Sequence, residues 1–293
     1  MHQECRISII TVNYNGLADT SALLESIAFD DPSLEVIVVD NASREDEATE
    51  IARRFPLVHV IRSDRNLGFA GGNNLGMESA SGQYLYLVNN DAVIDMHDMR
   101  SLVDRLESSP HIGMVCPKIR YYFGTRKIQF AGYTPLSPVT MRNRAIGNGE
   151  SDQGQYDKAH TTPYAHGAAM MVKRDVVKRA GMIPECYFLY YEELDWSVRI
   201  REQGYQIWYE PKSTVYHKES QSTGSDSPLR TFYLTRNRLL FARRNVSRPT
   251  RFATYAYLMG IVALRDLFRH LSHGRTDLAK AVLKGIHSFI RLT

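Results

Sequence analysis

Cysteine is scarce in this chain: Cys5, Cys116 and Cys186 lie far apart among 293 residues. With no Cys-x-x-Cys pair, neither a thiolate zinc knuckle nor a disulfide framework is expected, and a reducing compartment fits best. Long apolar runs are missing too. The longest weakly charged stretch, 252–264, has 13 residues, against the roughly 18 to 20 that a bilayer crossing needs. The stretch Met1 to Arg6 has no basic segment leading into an apolar one, so secretion is not expected. The Gly-rich stretch 68–76 contains neither G-x-G-x-x-G nor the lysine of a Walker loop, so both common nucleotide fingerprints fail. Acidic residues nearly vanish at the end of the chain: residues 230–293 hold 13 Lys/Arg and 2 Asp/Glu, whereas residues 1–229 hold 23 and 30. A basic tail on an acidic body suits an anionic surface. Its aromatics fall at helical-core spacing rather than on a stacking platform, so nucleic acid is not an expected partner.

What is present is a repeating unit. Ile7 to Val12 and Leu34 to Val39 are β-branched runs, Val58 to Ile61 is a short one, and Tyr84 to Val88 is apolar throughout. Between them lie segments with helical spacing, Leu17 to Ile27, Ser43 to Phe55 (with Ser43 and Asp46 as a capping box) and a third reaching Ser79. Strands alternating with helices predict a mainly parallel α/β sheet with right-handed crossovers. Residues 121–162 are irregular and too long for a simple connection. Further on, Ala168 to Val172 reads as a strand, Lys173 to Ala180 and Glu192 to Gln203 as helices, and Tyr205 to Tyr209 and Thr214 to His217 as two short strands. Helices follow from about Leu229, with the boundary at Ser227-Pro228.

The polar clusters follow strands, which in an open α/β sheet gathers them at the carboxyl edge, where ligands bind. Asp40 with Asn41 ends one strand, and Asn89-Asn90-Asp91 ends another. A carboxylate there serves a nucleotide or a cation, or simply caps the next helix. Glu192-Glu193-Leu194-Asp195 puts three carboxylates in one helical turn, which is costly unless some are paired or one acts as a base. Asp195 can pair with Arg199 four residues on, which leaves Glu193 in need of a reason. His217 ends a β-branched strand as a structural histidine or a metal ligand. Tyr233, Arg236 and Asn237 share a predicted helix, where Arg236 is a candidate for phosphate or part of an exposed basic face.

Taken together, Thr11-Val12-Asn13-Tyr14-Asn15, Val38 to Ser43, Asn66 to Asn73, Leu87 to Asp91, His166-Gly167-Ala168, Tyr191 to Trp196 and Val215-Tyr216-His217 closely resemble the family-two inverting glycosyltransferases of GT-A fold. The likeness spans about residues 6–245 and is strongest to the rhamnosyltransferase-like branch. It implies a GT-A nucleotide-diphospho-sugar transferase domain over 1–228, with a nucleotide-sugar half (1–118) and an acceptor half (119–228), followed by a basic helical extension (229–293). It further implies that Thr11, Asn13, Asn15, Asp40, Asn41, Asn66, Gly68, Asn73 and Asn90 bind the nucleotide sugar. His166, Gly167, Glu192, Asp195 and Trp196 would form the acceptor or sugar pocket. Arg236 would meet the diphosphate, Asp91 and His217 would hold Mg2+ or Mn2+, and Glu193 would be the catalytic base. Because Asn89 and Asn90 are neutral, modest metal affinity is expected.

The reaction so implied moves rhamnose or another hexose from a dTDP-, UDP- or GDP-linked donor to a glycan or polyprenyl-diphosphate-linked acceptor. The alternatives are a nucleotidyltransferase of the same pathway or a non-catalytic nucleotide- or glycan-binding homologue. The first lacks its Arg/Lys-containing Gly-rich loop at Thr11 to Gly16, and the second would lack a base or metal ligand. A cytoplasmic enzyme is expected, peripheral on the inner face of the plasma membrane if the tail helices bind lipid through an apolar side of Tyr255, Tyr257, Leu258 and Phe268 flanked by Arg265 and Arg269. Packing of the tail on the body, or on a second copy in a homodimer, is the alternative.

Overall fold

The computed structural model describes residues 6–219 and 227–292; Cys5 lies outside them. The expected alternation is present as β1 (Ile7–Asn13), α1 (Leu17–Glu25), β2 (Leu34–Asp40), α2 (Glu47–Arg54), β3 (His59–Arg62), α3 (Gly68–Ser79) and β4 (Tyr84–Val88). Then come β5 (Ala92–Ile94), α4 (Met96–Glu107), β6 (Ile112–Tyr121), β7 (Ile128–Phe130), β8 (His160–Thr161), β9 (Ala169–Lys173), α5 (Arg174–Ala180), α6 (Glu192–Glu202) and β10 (Gln206–His217). The tail comprises α7 (Pro228–Asn245), α8 (Arg248–Tyr255), a π-helical stretch (Ala256–Val262), α9 (Ala263–Ser272) and α10 (Thr276–Arg291).

The sheet runs β3-β2-β1-β4-β9-β6-β10-β5, with β7 beside β6 and β8 beside β10. The β1, β2, β3 and β4 pairings are parallel, β9 is antiparallel to both β4 and β6, and β10 is parallel to β6. Two antiparallel steps through β9 restore the original direction, so β10 ends at the same edge as β1, β2 and β4. His217 and Asp91 thereby meet, although 126 residues separate them in sequence.

Alternation along each strand divides the core in two. Ile10, Ile37, Val39, Leu85 and Leu87 face one layer, with Trp196 and Ile200 of α6. Ile9, Val36, Val38, Tyr86 and Val88 face the other, with Leu23 and Leu24 of α1 and Leu102 and Leu106 of α4. This is the period-two pattern of strands covered on both sides. Burying each such side chain contributes about 1.5–3 kcal/mol. A third core joins Tyr187, Tyr191 and Leu194 to Leu239, Leu240 and Phe241 of α7, and to Leu258, Val262 and Phe289 farther along the tail. The described tail, residues 228–292, is thus packed onto the body through an apolar interface.

Several local expectations change. Asp46, not Ser43, caps α2, accepting from Thr49 N, because Ser43 is engaged by Asn13 and Asn15. The two short strands expected at 205–217 are one strand, β10, with a register shift between Glu210 and Thr214. Pro211 has no N–H for the ladder, which favours a bulge there. The segment 121–162 is ordered: Ile128 and Phe130 are fully buried, Ala131 N donates to Ile146 O, and Ile146 N donates to Gly132 O. It folds back on itself and delivers Gln129 and Tyr133 to the carboxyl edge.

Candidate active site

The ends of β1 and β2 are tied by a closed polar brace. Asn13 Nδ2 donates to Asp40 Oδ1 (2.9 Å), Ser43 Oγ (3.2 Å) and Glu47 Oε2 (2.7 Å), while its Oδ1 accepts from Thr20 Oγ1 (2.7 Å). Asn90 Nδ2 extends the brace to Thr20 (3.1 Å). Asn41 accepts from Leu67 N and donates to Asn66 Oδ1 and Gly68 O, and Asn73 donates to Phe69 O. Thr11, Asn13 and Asp40 are fully buried, and Asn41 and Asn73 nearly so. The side chains of Asn13, Asp40, Asn41 and Asn73 are spent on holding loops together, whereas Thr11 Oγ1 has no hydrogen-bond partner among the described residues. Asn15, Asn66 and Asn90 keep exposed or half-exposed surface along this edge.

The Gly-rich stretch is itself helix α3. A Cβ on Gly72 or Gly76 would come within 2.8 Å of Val12 or 2.4 Å of Ile10, so small residues let α3 press onto β1. Gly68 sits at φ +72°, and a Cβ there would lie 2.2 Å from Phe188 O. Phe69 N donates to that same carbonyl (2.8 Å). The start of α3 is therefore locked to the loop that precedes α6.

At the opposite side of the edge, His217 Nε2 lies 3.1 Å from Asp91 Oδ1. His217 Nδ1 donates to Gln129 Oε1 (2.9 Å), so Nε2 is the atom turned to Asp91, and Asn89 Nδ2 approaches it at 3.4 Å. A lone pair facing a carboxylate oxygen at this distance is repulsive unless a proton or cation lies between them. The pair fits a divalent cation held by one carboxylate and one imidazole, with the remaining coordination left to ligand and water. Among the described residues no group of three or more His, Cys, Asp or Glu side chains is placed to hold a metal.

The acidic turn opens α6 after an unusual approach. Phe188, Tyr190 and Tyr191 all have positive φ (65°, 70° and 79°) without being glycine, a conformation that needs outside support. That support comes from α7. Asn237, fully buried, donates to the carbonyls of Tyr187 (3.0 Å), Leu189 (2.7 Å) and Tyr190 (2.9 Å). Arg236 donates to Cys186 O and Tyr187 O. On this platform Glu192 is buried, and its Oε2 has no hydrogen-bond partner among the described residues. Burial, reinforced by Glu193 next to it, pushes the Glu192 carboxyl well above its ordinary range. Burial likewise raises Glu193 to about 7, although backbone N–H groups at the helix start pull it down. Glu193 is half-buried and sits near Gly167 and Phe69. His166 stacks on Tyr133 (5.9 Å between centroids) and meets the His217 ring edge-on at 6.3 Å. Burial holds His166 neutral, lowering it to about 3.

The sequence model of glycosyl transferase family 2 matches residues 8–181. This chain belongs to glycosyltransferase family 2. It is 25% identical over 289 residues to the low-salt glycan biosynthesis hexosyltransferase of Haloferax volcanii, covering 96% of this chain and 90% of that one. It is 23% identical over 241 residues to the N-acetylglucosaminyl-diphospho-decaprenol L-rhamnosyltransferase of Mycobacterium tuberculosis, covering 75% and 78%. Among solved structures, the Pyrobaculum calidifontis mannosyltransferase PcManGT, in complex with GDP-Man and Mn2+, superposes with TM-score 0.59 at 17% identity over 98% of this chain and 88% of that one. GalNAc-T7 with UDP, GalNAc and Mn2+ superposes with TM-score 0.62 at 17% identity over 96% and 55%. The fold is GT-A, and the family's relatives include proteins of glycan, O-antigen and polysaccharide synthesis.

Within this family 2 glycosyltransferase, three expected site residues have structural work instead. Trp196 is fully buried in the core, its Nε1 donating to Gly181 O. Asp195, 1% exposed, pairs with Arg199 (3.2 Å), as its spacing predicts, and with Arg244 of α7 (2.6 Å), and it accepts from Tyr187 Oη. Arg236, expected at the diphosphate, is 9% exposed and occupied with loop carbonyls and Asn237 Oδ1. Conversely, Gln129 and Tyr133 join the site from a stretch with no periodicity to mark them. A cavity of about 240 Å3 lined by Arg6, Met96, Arg100 and Glu107 opens beside Ile7, at the amino edge of the sheet, where this architecture does not bind its substrates.

Proposed function

We propose that the chain is an inverting, cation-dependent sugar transferase acting on a nucleoside-diphosphate sugar. The observation that carries this reading is the pairing of a desolvated carboxylate, Glu193, raised to about 7, with Asp91 and a His217 whose tautomer Gln129 sets. Asp91 and His217 would hold Mg2+ or Mn2+, which when bound supplies charge to stabilise the departing diphosphate. The protein's own residues do the rest. Glu193 accepts the proton of the acceptor hydroxyl as that oxygen bonds to the anomeric carbon, while the bond from that carbon to the diphosphate breaks on the other face. One base suffices for inversion. Glu192 is buried, and burial pushes its carboxyl well above the ordinary range, which disfavours it as the second carboxylate of a retaining scheme. Asn15, Asn66 and Asn90 line the edge where the nucleotide would lie. The resemblance to a decaprenol-linked rhamnosyltransferase supports a lipid-linked saccharide as acceptor and a hexose or deoxyhexose as the transferred group.

The test is a thermal-shift panel of dTDP-, UDP- and GDP-sugars with and without Mn2+, followed by NMR of the product anomer. One nucleotide should stabilise the protein only with the cation, and the product should carry the inverted anomeric configuration. Retention of configuration, or equal stabilisation without cation, would overturn the reading.

A further inference from the structure

The sequence assigns lipid contact to Tyr255, Tyr257, Leu258 and Phe268, but the fold turns most of that set inward. Leu258 is 6% exposed within the third core, the Tyr255 ring packs at 5.5 Å from Phe289, and Tyr257 is half-buried. Of the four, only Phe268 faces fully outward. A different stripe takes the outer face. Phe252 (77% exposed), Ile261 (61%), Leu264 (62%), Phe268 (76%) and Leu271 (56%) all point to solvent along the run from α8 to α9. Of the twelve large exposed hydrophobics among the described residues, nine lie between Leu229 and Leu292, so this is a concentration and not the scattered exposure of an ordinary surface.

The helix geometry keeps that stripe in line. Phe252, Ala256, Gly260, Leu264 and Phe268 follow one another at steps of four, and all are exposed. In a plain α-helix such steps drift around the axis, because a turn holds 3.6 residues. The π-helical stretch Ala256–Val262, with its wider i to i+5 turn, offsets the drift. Phe252 to Leu271 thus forms an apolar ridge about 30 Å long at 1.5 Å per residue. Arg265 and Arg269 flank it, and α10 adds Leu283 and Ile290 beside Lys280, Lys284 and Arg291, all exposed.

We infer that this ridge lies in the headgroup region of an anionic lipid bilayer. Charge selects that occupant. The acids of the described tail are already matched: Asp266 with Arg265 (2.8 Å) and Arg269 (3.6 Å), and Asp277 with Arg275 (3.0 Å). Two copies meeting ridge to ridge would oppose arginine to arginine, whereas acidic headgroups answer the charge and acyl chains answer the apolar ridge. Among the described residues no helix is long and apolar enough to cross a membrane, so the contact runs along the surface. The inference is independent of the proposed chemistry, although it would bring a lipid-linked acceptor within reach of the site.

The experiment is flotation of the full-length protein with vesicles of phosphatidylcholine alone or mixed equally with phosphatidylglycerol. Truncation at Pro228 is unsuitable because it removes Asn237 from the loop before Glu193. The variant Leu264→Asp/Phe268→Asp replaces two exposed residues, so its circular dichroism and melting temperature should match wild type. Wild type should float with the anionic vesicles at least roughly tenfold better than with neutral ones, and the variant should lose that binding. Equal flotation of variant and wild type, or no flotation of wild type with either vesicle, overturns the inference. So does a wild-type dimer in light scattering that the variant splits without any vesicle binding, since the ridge then meets a second copy.

Discussion

Two buried polar clusters stand at the same edge of this sheet, and they are built on opposite principles. At Asn13 the side chain's own demand is met: its amide nitrogen reaches three oxygens and its oxygen accepts from Thr20. At Glu192 and Glu193 demand is left open, with one orphan oxygen and two carboxyls raised by burial. A satisfied network fixes geometry and resists change, whereas an unsatisfied carboxylate is a reservoir of basicity. The second cluster can stay strained because Asn237 and Arg236, on a helix that belongs to the tail, hold the loop in front of it.

Substitutions that exchange these properties should separate the two clusters. The largest effect is expected from Glu193→Gln, which should cut kcat by about 10^3-fold with little change in the donor's binding constant. In wild type, kcat/KM should rise with pH and level off above about 7, and near-normal turnover by the variant would remove Glu193 as base. Asn237→Ala should cost about 10^2-fold in kcat by releasing the loop, although its side chain touches no substrate. If donor binding fell instead while kcat held, the loop would be serving the nucleotide and not the base. Gln129→Leu should weaken Mn2+ binding by roughly 10- to 100-fold, read by titration in the presence of nucleoside diphosphate. Asn13→Ala should act on stability, at about 2 kcal/mol in urea unfolding, because it leaves Asp40 and Thr20 short of partners.

The smallest effect has the opposite sign. Glu193 has its pKa raised from 4.5 to about 7 on folding, so the folded state holds the proton more tightly. That contribution is fully present below 4.5 and is lost as pH rises through about 7. Glu193→Gln should therefore melt a few degrees higher than wild type at pH 8 and show no such gain at pH 4. A fall in melting temperature at pH 8 would mean that the carboxylate is stabilised where it sits, and the contrast between the clusters would fail.

Much of this was legible in the residues themselves. A β-branched strand running into Asp40 and an apolar strand followed by Asn89-Asn90-Asp91 declared a carboxyl edge, and the spacing of Asp195 and Arg199 declared an ion pair. Residue type did not reveal which asparagines brace and which face a ligand. Asn13 and Asn15 read alike in sequence, yet one is fully buried and the other exposed. Gln129 was invisible for a related reason: it lies in an aperiodic stretch and acquires meaning only when β7 lands beside His217.

The sequence by itself determined the alternating strands and helices, the acidic turn at Glu192 to Asp195, the scarcity of cysteine and the split between an acidic body and a basic tail. These are properties of neighbours along the chain, set by side-chain periodicity and charge. Tertiary structure alone decided that β9 runs antiparallel between β4 and β6, that Asn237 props the loop before Glu193, and that Phe252 and Leu264 face outward while Leu258 turns in. Those outcomes depend on contacts between distant segments and on the phase of a helix through its π-turn, and neither quantity is carried by any short window of residues.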